Sequence, residues 1–229
     1  MQITVGCAQS LDGRIATASG QAKWISSPGT LRLAHQLRAD HAAVMVGVGT
    51  VVNDDPALTC RLPDPHHSEA DPSRSPLRVV VDSTLRTPLT ARVASPDPAA
   101  TTLLVTTDRA EQSRQEALAA QGVEVVRVAA APDGKVALGA LWRALADRGV
   151  DSVYVEGGSA LLSAIFASGT PLAAVFFVAP ILIGSDGVPA LARALADRID
   201  QAPRAHSDGM ELVDGDLVWR LLLPGTPHD

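Results

Sequence analysis

Two arginines, a carboxylate beside paired glycines and a tryptophan in a loop are among the side chains in this sequence that could serve a phosphorylated ligand. Arg38 and Arg61 each carry a guanidinium fork, which pairs bidentately with a phosphate where a lysine cannot. A single arginine on a helix is, as a rule, a solvated charge. Val155-Glu156-Gly157-Gly158-Ser159 closes a strand and opens a helix. Its adjacent glycines let the backbone turn closely, and the new helix presents unpaired N–H groups at its positive dipole end. Such a turn can cradle a pyrophosphate or serve packing alone, and the residues by themselves favour neither reading. Trp24 falls in a loop after the first strand, where an exposed aromatic suits the wall of a ligand pocket.

Strands alternating with helices must position these groups. The apolar patterning predicts strands over residues 2–7, 42–46, 77–81, 102–106, 123–128 and 152–155. Helices are expected from the Ser27-Pro28 cap to Ala39, then over 110–121, 138–148 and 160–167. Further strands are expected over 173–178, 181–183, 211–213 and 217–223, the last two joined by Asp214-Gly215-Asp216, a strong hairpin signal. Asp12-Gly13 and Ser19-Gly20 read as turns, and 62–76 and 83–100 as polar, proline-bearing loops. The order implies a three-layer α/β fold whose sheet begins parallel and finishes antiparallel. With no repeat and no linker, residues 1–229 read as a single domain.

Composition narrows the partners. Charged residues are 19 % of the chain and the net charge is −6 without a basic cluster, which argues against nucleic acid. Aromatics are only 3 %, so the core must come from Val, Leu, Ile and Ala. No apolar run reaches the ~18–20 residues that span a bilayer, and a secretory leader pattern is absent at the N-terminus, so a cytoplasmic location is expected. Cys7 and Cys60 form no disulfide framework and no metal spacing. The histidines show no ligand spacing either, and His66-His67 reads as solvated, so no metal is expected.

The stretch Ser10-Leu11-Asp12-Gly13-Arg14-Ile15-Ala16 followed by Trp24-Ile25-Ser26 resembles the opening of the riboflavin-biosynthesis pyrimidine reductases. The resemblance continues in order through Leu37-Arg38-Ala39, Val46-Gly47-Val48-Gly49-Thr50, Asp54-Asp55-Pro56, Leu58-Thr59 and Val79-Val80-Val81-Asp82-Ser83. It ends with Val155-Glu156-Gly157-Gly158, Ala179-Pro180 and Leu182-Ile183-Gly184. It implies a dihydrofolate reductase-like fold and NADPH-dependent reduction of the ribosyl group of a 5-phosphoribosylamino-pyrimidine to ribityl. By the same resemblance Arg38 and Arg61 hold the substrate's ribose phosphate, Glu156 accepts hydrogen bonds from pyrimidine amino groups, and Ala22, Ala57 and Leu58 line the substrate pocket. Ala8, Trp24, Thr50, Asp54, Ser83, Gly158, Ser159, Ala160 and Leu161 fall on the cofactor side. A homodimer is also implied. From the residues alone, a tight turn accounts for Val46–Thr50, helix capping accounts for Asp108, and Asp55 has a structural role as a turn residue before Pro56.

Two positions depart from the family's pattern. Gly6 stands where many bacterial members carry a lysine, which leaves open whether the aminated or the deaminated pyrimidine is reduced. Gly169-Thr170-Pro171-Leu172-Ala173-Ala174 lacks the acidic residue usual after the helix. The H-x-E and P-C-x-x-C signature of a zinc deaminase does not occur, so reduction and not deamination is expected. No residue stands out as the proton donor. The competing readings are a related reductase of another pterin or pyrimidine, and a non-catalytic nucleotide-binding module. The module would need no phosphate-binding arginines.

Overall fold

In the computed structural model, residues 1–62, 75–97 and 100–225 are described, so His66 and His67 lie outside the described residues. In chain order the elements are β1 (Gln2–Ser10), β2 (Arg14–Ala16), α1 (Pro28–Ala39), β3 (Ala43–Gly47), α2 (Val48–Asp54), β4 (Leu77–Val81), β5 (Thr102–Thr106) and α3 (Gln112–Ala119). There follow β6 (Glu124–Arg127), α4 (Leu138–Ala146), β7 (Ser152–Val155), α5 (Ser159–Ala167), β8 (Leu172–Ala179), β9 (Val188–Pro189), β10 (His206–Val213) and β11 (Asp216–Leu223). This is the expected mixed α/β class, with a mostly parallel central sheet and antiparallel strands at the C-terminus. No helix among the described residues is long and apolar enough to cross a membrane.

The described residues gather into two compact units, one over His35–Tyr154 with Met1, the other over Gln2–Ala34 and from Val155 onward. In the first, the strand order is β7-β3-β4-β5-β6. The pairs β3/β4, β4/β5 and β5/β6 are parallel. Val44, Met45, Val46, Val79, Val80, Leu103 and Leu104 are fully buried, as continuous apolar runs in a parallel sheet covered on both faces should be. Each such side chain contributes about 1.5–3 kcal/mol of burial. Arg78 is buried beside them; its Nη2 donates to the Ala100 carbonyl at 2.8 Å and its Nη1 lies 3.5 Å from Asp97. Burial lowers the Arg78 pKa, and the Asp97 charge works against that shift.

In the second unit the order is β10-β11-β8-β1, with β1 and β8 parallel and the other two pairs antiparallel. Asp214 and Gly215 both have positive φ (49° and 91°), as the primed two-residue hairpin turn demands. Helix α1 begins against this hairpin. Ser27 caps it, its Oγ accepting the Thr30 N–H at 3.3 Å. The buried Asp216 carboxylate accepts the Ser27 N–H and the Thr30 hydroxyl, each at 2.7 Å. A Cβ at Gly29 would sit 2.7 Å from Val213 Cγ1, so the close approach of helix to hairpin requires glycine there.

Two local expectations are corrected, and one pairing is added. The stretch 181–183 is not a strand. Its amides are taken by the turn after β1: Leu11 donates to the Ile181 carbonyl at 2.9 Å, and Asp12 accepts the N–H of Ile183 at 3.1 Å and of Gly184 at 2.7 Å. Helix α2 forms where a tight turn was expected, its Val48 and Val51 buried one turn apart, so tertiary packing overrides a β-branched composition. The short antiparallel pair β2/β9 carries no periodic signal and joins residues far apart in sequence.

Two measurements test these anchors. Replacing Asp216 with Ala leaves a main-chain N–H and a hydroxyl without their acceptor and should cost about 1.5–3 kcal/mol in urea unfolding. Asp216→Asn, which keeps one acceptor, should cost less; a midpoint shift within error for both would remove Asp216 from this role. The Asp12 carboxyl is held at about 2, below its usual 3.8, first by the Ser10 hydroxyl and then by the Gly184 and Ile183 amides. The stability it confers is therefore complete above the unfolded value near 3.8 and lost as the pH falls through about 2. The Tm difference between the native chain and Asp12→Asn should shrink across that window, and a pH-independent difference would contradict the assignment.

Candidate functional site

The first unit carries Arg38, Thr50, Asp54, Ala57, Leu58, Arg61 and Ser83 of the expected set. Arg38 lies in the last turn of α1, and its Nη1 donates to the Thr59 carbonyl at 2.9 Å. Two residues further along, the Arg61 N–H donates to His35 Nδ1 at 3.1 Å, so one turn of α1 grips the segment 59–61. The His35 pKa is pushed down to about 4, chiefly by burial and then by the positive charges of Arg38 and Arg61. Arg38 and the Arg61 main chain thus both lie at one turn of α1.

Ala57 and Leu58 are buried, and Leu58, in the left-handed region at φ 54°, is packed in the hydrophobic core with Val46, Val51 and Val80. Asp55, at φ 41°, closes α2 and its carboxylate accepts the Arg92 N–H at 2.8 Å, in line with its expected structural role. Two left-handed non-glycine residues within four positions mark a strained loop of the kind that functional sites retain. Thr50 and Asp54 lie on α2. Ser83 follows β4; its Oγ accepts the Val136 N–H at 3.0 Å and its carbonyl accepts the Thr107 hydroxyl at 2.8 Å.

The second unit carries Ala8, Ala22, Trp24, Glu156, Gly158, Ser159, Ala160 and Leu161. Gly157 and Gly158 have φ of 128° and 91°, values that L side chains rarely adopt, and they swing the chain from β7 into α5. No side chain caps α5, so its first-turn amides keep the donor character that suits a phosphate. Ser159 Oγ donates to the Pro189 carbonyl at 2.6 Å, while Ser163 Oγ donates to the Ser159 carbonyl and accepts the Ala192 N–H, each at 2.7 Å. The cradle is therefore fixed from behind. Glu156 immediately precedes it, half-buried. Trp24 is 90 % exposed and left-handed at φ 75°, an aromatic displayed to solvent at a strained position. Ala8 lies in β1 and Ala22 in the loop before Trp24, both half-buried.

Sequence reasoning missed His35 and took Asp12 only for a turn residue. The signal for His35 was its place three residues before Arg38, one helical turn away on the same face. No comparable signal marked Asp12 as the acceptor for amides 171 and 172 residues further along.

The RibD C-terminal domain family model matches residues 1–205. A riboflavin biosynthesis protein RibD from Bacillus amyloliquefaciens is 36 % identical over 189 residues, which are 82 % of this chain and 48 % of that protein. The 2,5-diamino-6-ribosylamino-4(3H)-pyrimidinone 5′-phosphate reductase of Archaeoglobus fulgidus is also 36 % identical, over 82 % of this chain and 84 % of its own length. Among solved structures, Acinetobacter baumannii RibD superimposes with a TM-score of 0.80 at 27 % identity, covering 97 % of this chain and 58 % of that one. The chain thus spans about half the length of the RibD proteins it matches and most of the archaeal reductase. On the match of 205 consecutive residues, with the motifs described above in their expected order, this chain belongs to the RibD C-terminal domain family.

Proposed function

We propose that this chain is an NADPH-dependent reductase that converts the ribosyl group of a 5-phosphoribosylamino-pyrimidine to ribityl in riboflavin biosynthesis, acting as one catalytic domain in the cytoplasm. The observation that supports the reading best is that one turn of α1 holds the segment 59–61, through Arg38 on Thr59 and His35 on the Arg61 main chain. A guanidinium fork pairs bidentately with a phosphate, which suits both arginines to a ribose phosphate. The name of the archaeal relative, which this chain covers over most of its length, supports a phosphorylated diaminopyrimidine as the substrate class.

In this reading Arg38 and Arg61 anchor the phosphate, Glu156 accepts hydrogen bonds from the base, and Ala22, Ala57 and Leu58 shape the pocket. The uncapped start of α5 at Gly158, Ser159, Ala160 and Leu161 suits the cofactor's phosphates, with Ala8, Trp24, Thr50, Asp54 and Ser83 as its further contacts. NADPH supplies the hydride that opens the ribose ring at C1′. In this reading the chain supplies orientation and electrostatics, and the cofactor the redox chemistry.

We also propose a homodimer. Strand β10 is the edge of its unit's sheet, and seven of its eight residues are exposed, among them Met210 and Leu212. An edge strand that exposes Met210 and Leu212 can be covered by a second copy across a two-fold axis. Light scattering at micromolar concentration should return twice the 23.7 kDa chain mass, and a value near the single chain would refute it.

Oxidation of NADPH, followed at 340 nm with the aminated and the deaminated pyrimidine phosphates, tests the activity. One of the two should be turned over, and neither being reduced would defeat the reading; equal kcat/KM for NADH and NADPH would defeat its cofactor half. Arg61→Ala should raise KM roughly 10- to 100-fold, the loss of a charged hydrogen bond of about 1.5–3 kcal/mol to phosphate.

A further inference from the structure

We propose that His35 is a positioning residue of the phosphate subsite, its imidazole holding the main chain at Arg61, and with it the Arg61 guanidinium, against the turn of α1 that carries Arg38. The inference rests on the reading of Arg38 and Arg61 as the phosphate ligands. Three consecutive residues of the facing segment are bound by two residues of α1. The Thr59 carbonyl accepts from Arg38 Nη1 at 2.9 Å, the Cys60 thiol lies 3.6 Å from the His35 carbonyl, and the Arg61 N–H reaches His35 Nδ1 at 3.1 Å. The donor of the last bond is a main-chain amide, so Nδ1 is the acceptor and the ring proton sits on Nε2. A protonated ring would turn an N–H toward the Arg61 amide and add a third positive charge beside two guanidiniums. Burial first, then the positive charges of Arg38 on its own helix and Arg61 on the facing segment, hold the ring's pKa at about 4. The device therefore stays neutral through the working range of a biosynthetic enzyme. It fixes where the Arg61 side chain starts without competing for the anion.

A bound phosphate would offset the two guanidiniums and relax their hold on the imidazole, so His35 should sense occupancy. Selective 15N-histidine labelling of the native protein reads this directly. The expected result is an unprotonated Nδ1 at pH 7 and a titration midpoint that rises when ribose 5-phosphate is added. A protonated Nδ1 at pH 7, or a midpoint unmoved by saturating ribose 5-phosphate, would overturn the proposal. In steady state, His35→Ala should raise KM for the phosphorylated pyrimidine about tenfold with a much smaller change in kcat, and His35→Asn, whose Oδ1 can accept the Arg61 N–H, should recover most of it. Ribose 5-phosphate affinity of His35→Ala should fall by a similar factor. Arg61→Ala separates the two levels of the argument. If that variant binds ribose 5-phosphate as the native chain does, the phosphate reading itself fails. If Arg61→Ala loses the ligand while His35→Ala keeps native affinity and KM, only the role of His35 fails.

Discussion

Carboxylates bound to main-chain amides hold the loops of this protein in place. Asp12 takes the amides of Ile183 and Gly184, Asp55 that of Arg92, Asp82 the amide and hydroxyl of Thr87, and Asp216 the amide of Ser27 with the hydroxyl of Thr30. Each is a charge-assisted bond that closes a loop onto a distant or buried part of its own unit. Loop amides that leave the sheet ladder must find an acceptor, and an aspartate at the loop's end offers two oxygens at once. The conspicuous acids of the sequence, including two in its longest motifs, are therefore occupied by the fold. Glu156, half-buried and next to the glycine turn, is a carboxylate in a different position, at the mouth of a strand.

Within each unit, candidate residues follow the ends of strands. Ala8 lies toward the carboxyl end of β1, Thr50 just past β3, Ser83 just past β4, and Glu156 with the glycine pair just past β7. Strands of an open α/β sheet present their carboxyl ends as the place where ligands bind, because helix N-termini and loop amides converge there. Arg38 and Arg61 of the first unit are carried by α1 and by the segment that follows the strained loop after α2. There, left-handed Asp55 and Leu58 turn the chain sharply and bury Leu58 so that Arg61 emerges opposite His35. A core contact thus fixes the main chain that carries a charged group.

What was legible in the sequence was whatever has a local cause. Pro28 after Ser27 marked the start of α1, the valine runs marked β3 and β4, and Asp214-Gly215 marked the hairpin, each by dihedral preference or periodicity. What stayed illegible has a remote cause. The segment 181–183 is apolar enough for a strand, yet its amides belong to Asp12. Helix α2 holds three valines among its seven residues and is stabilised by burial of Val48 and Val51. The paired arginines were legible through family resemblance, whereas the imidazole between them was not, because its role follows from a main-chain bond across 26 residues.

The two thiols give this architecture an experimental handle. Cys7 belongs to one compact unit and Cys60 to the other, both are buried, and burial pushes the Cys7 thiol up to about 12. Neither can react with an alkylating reagent while its surroundings stay closed, because only the accessible thiolate is a nucleophile. The rate at which each cysteine is modified is then a clock for the opening of its own unit, read site by site from a single chain with no engineered probe. A chain with one silent thiol in each half can report whether its halves loosen together or in turn.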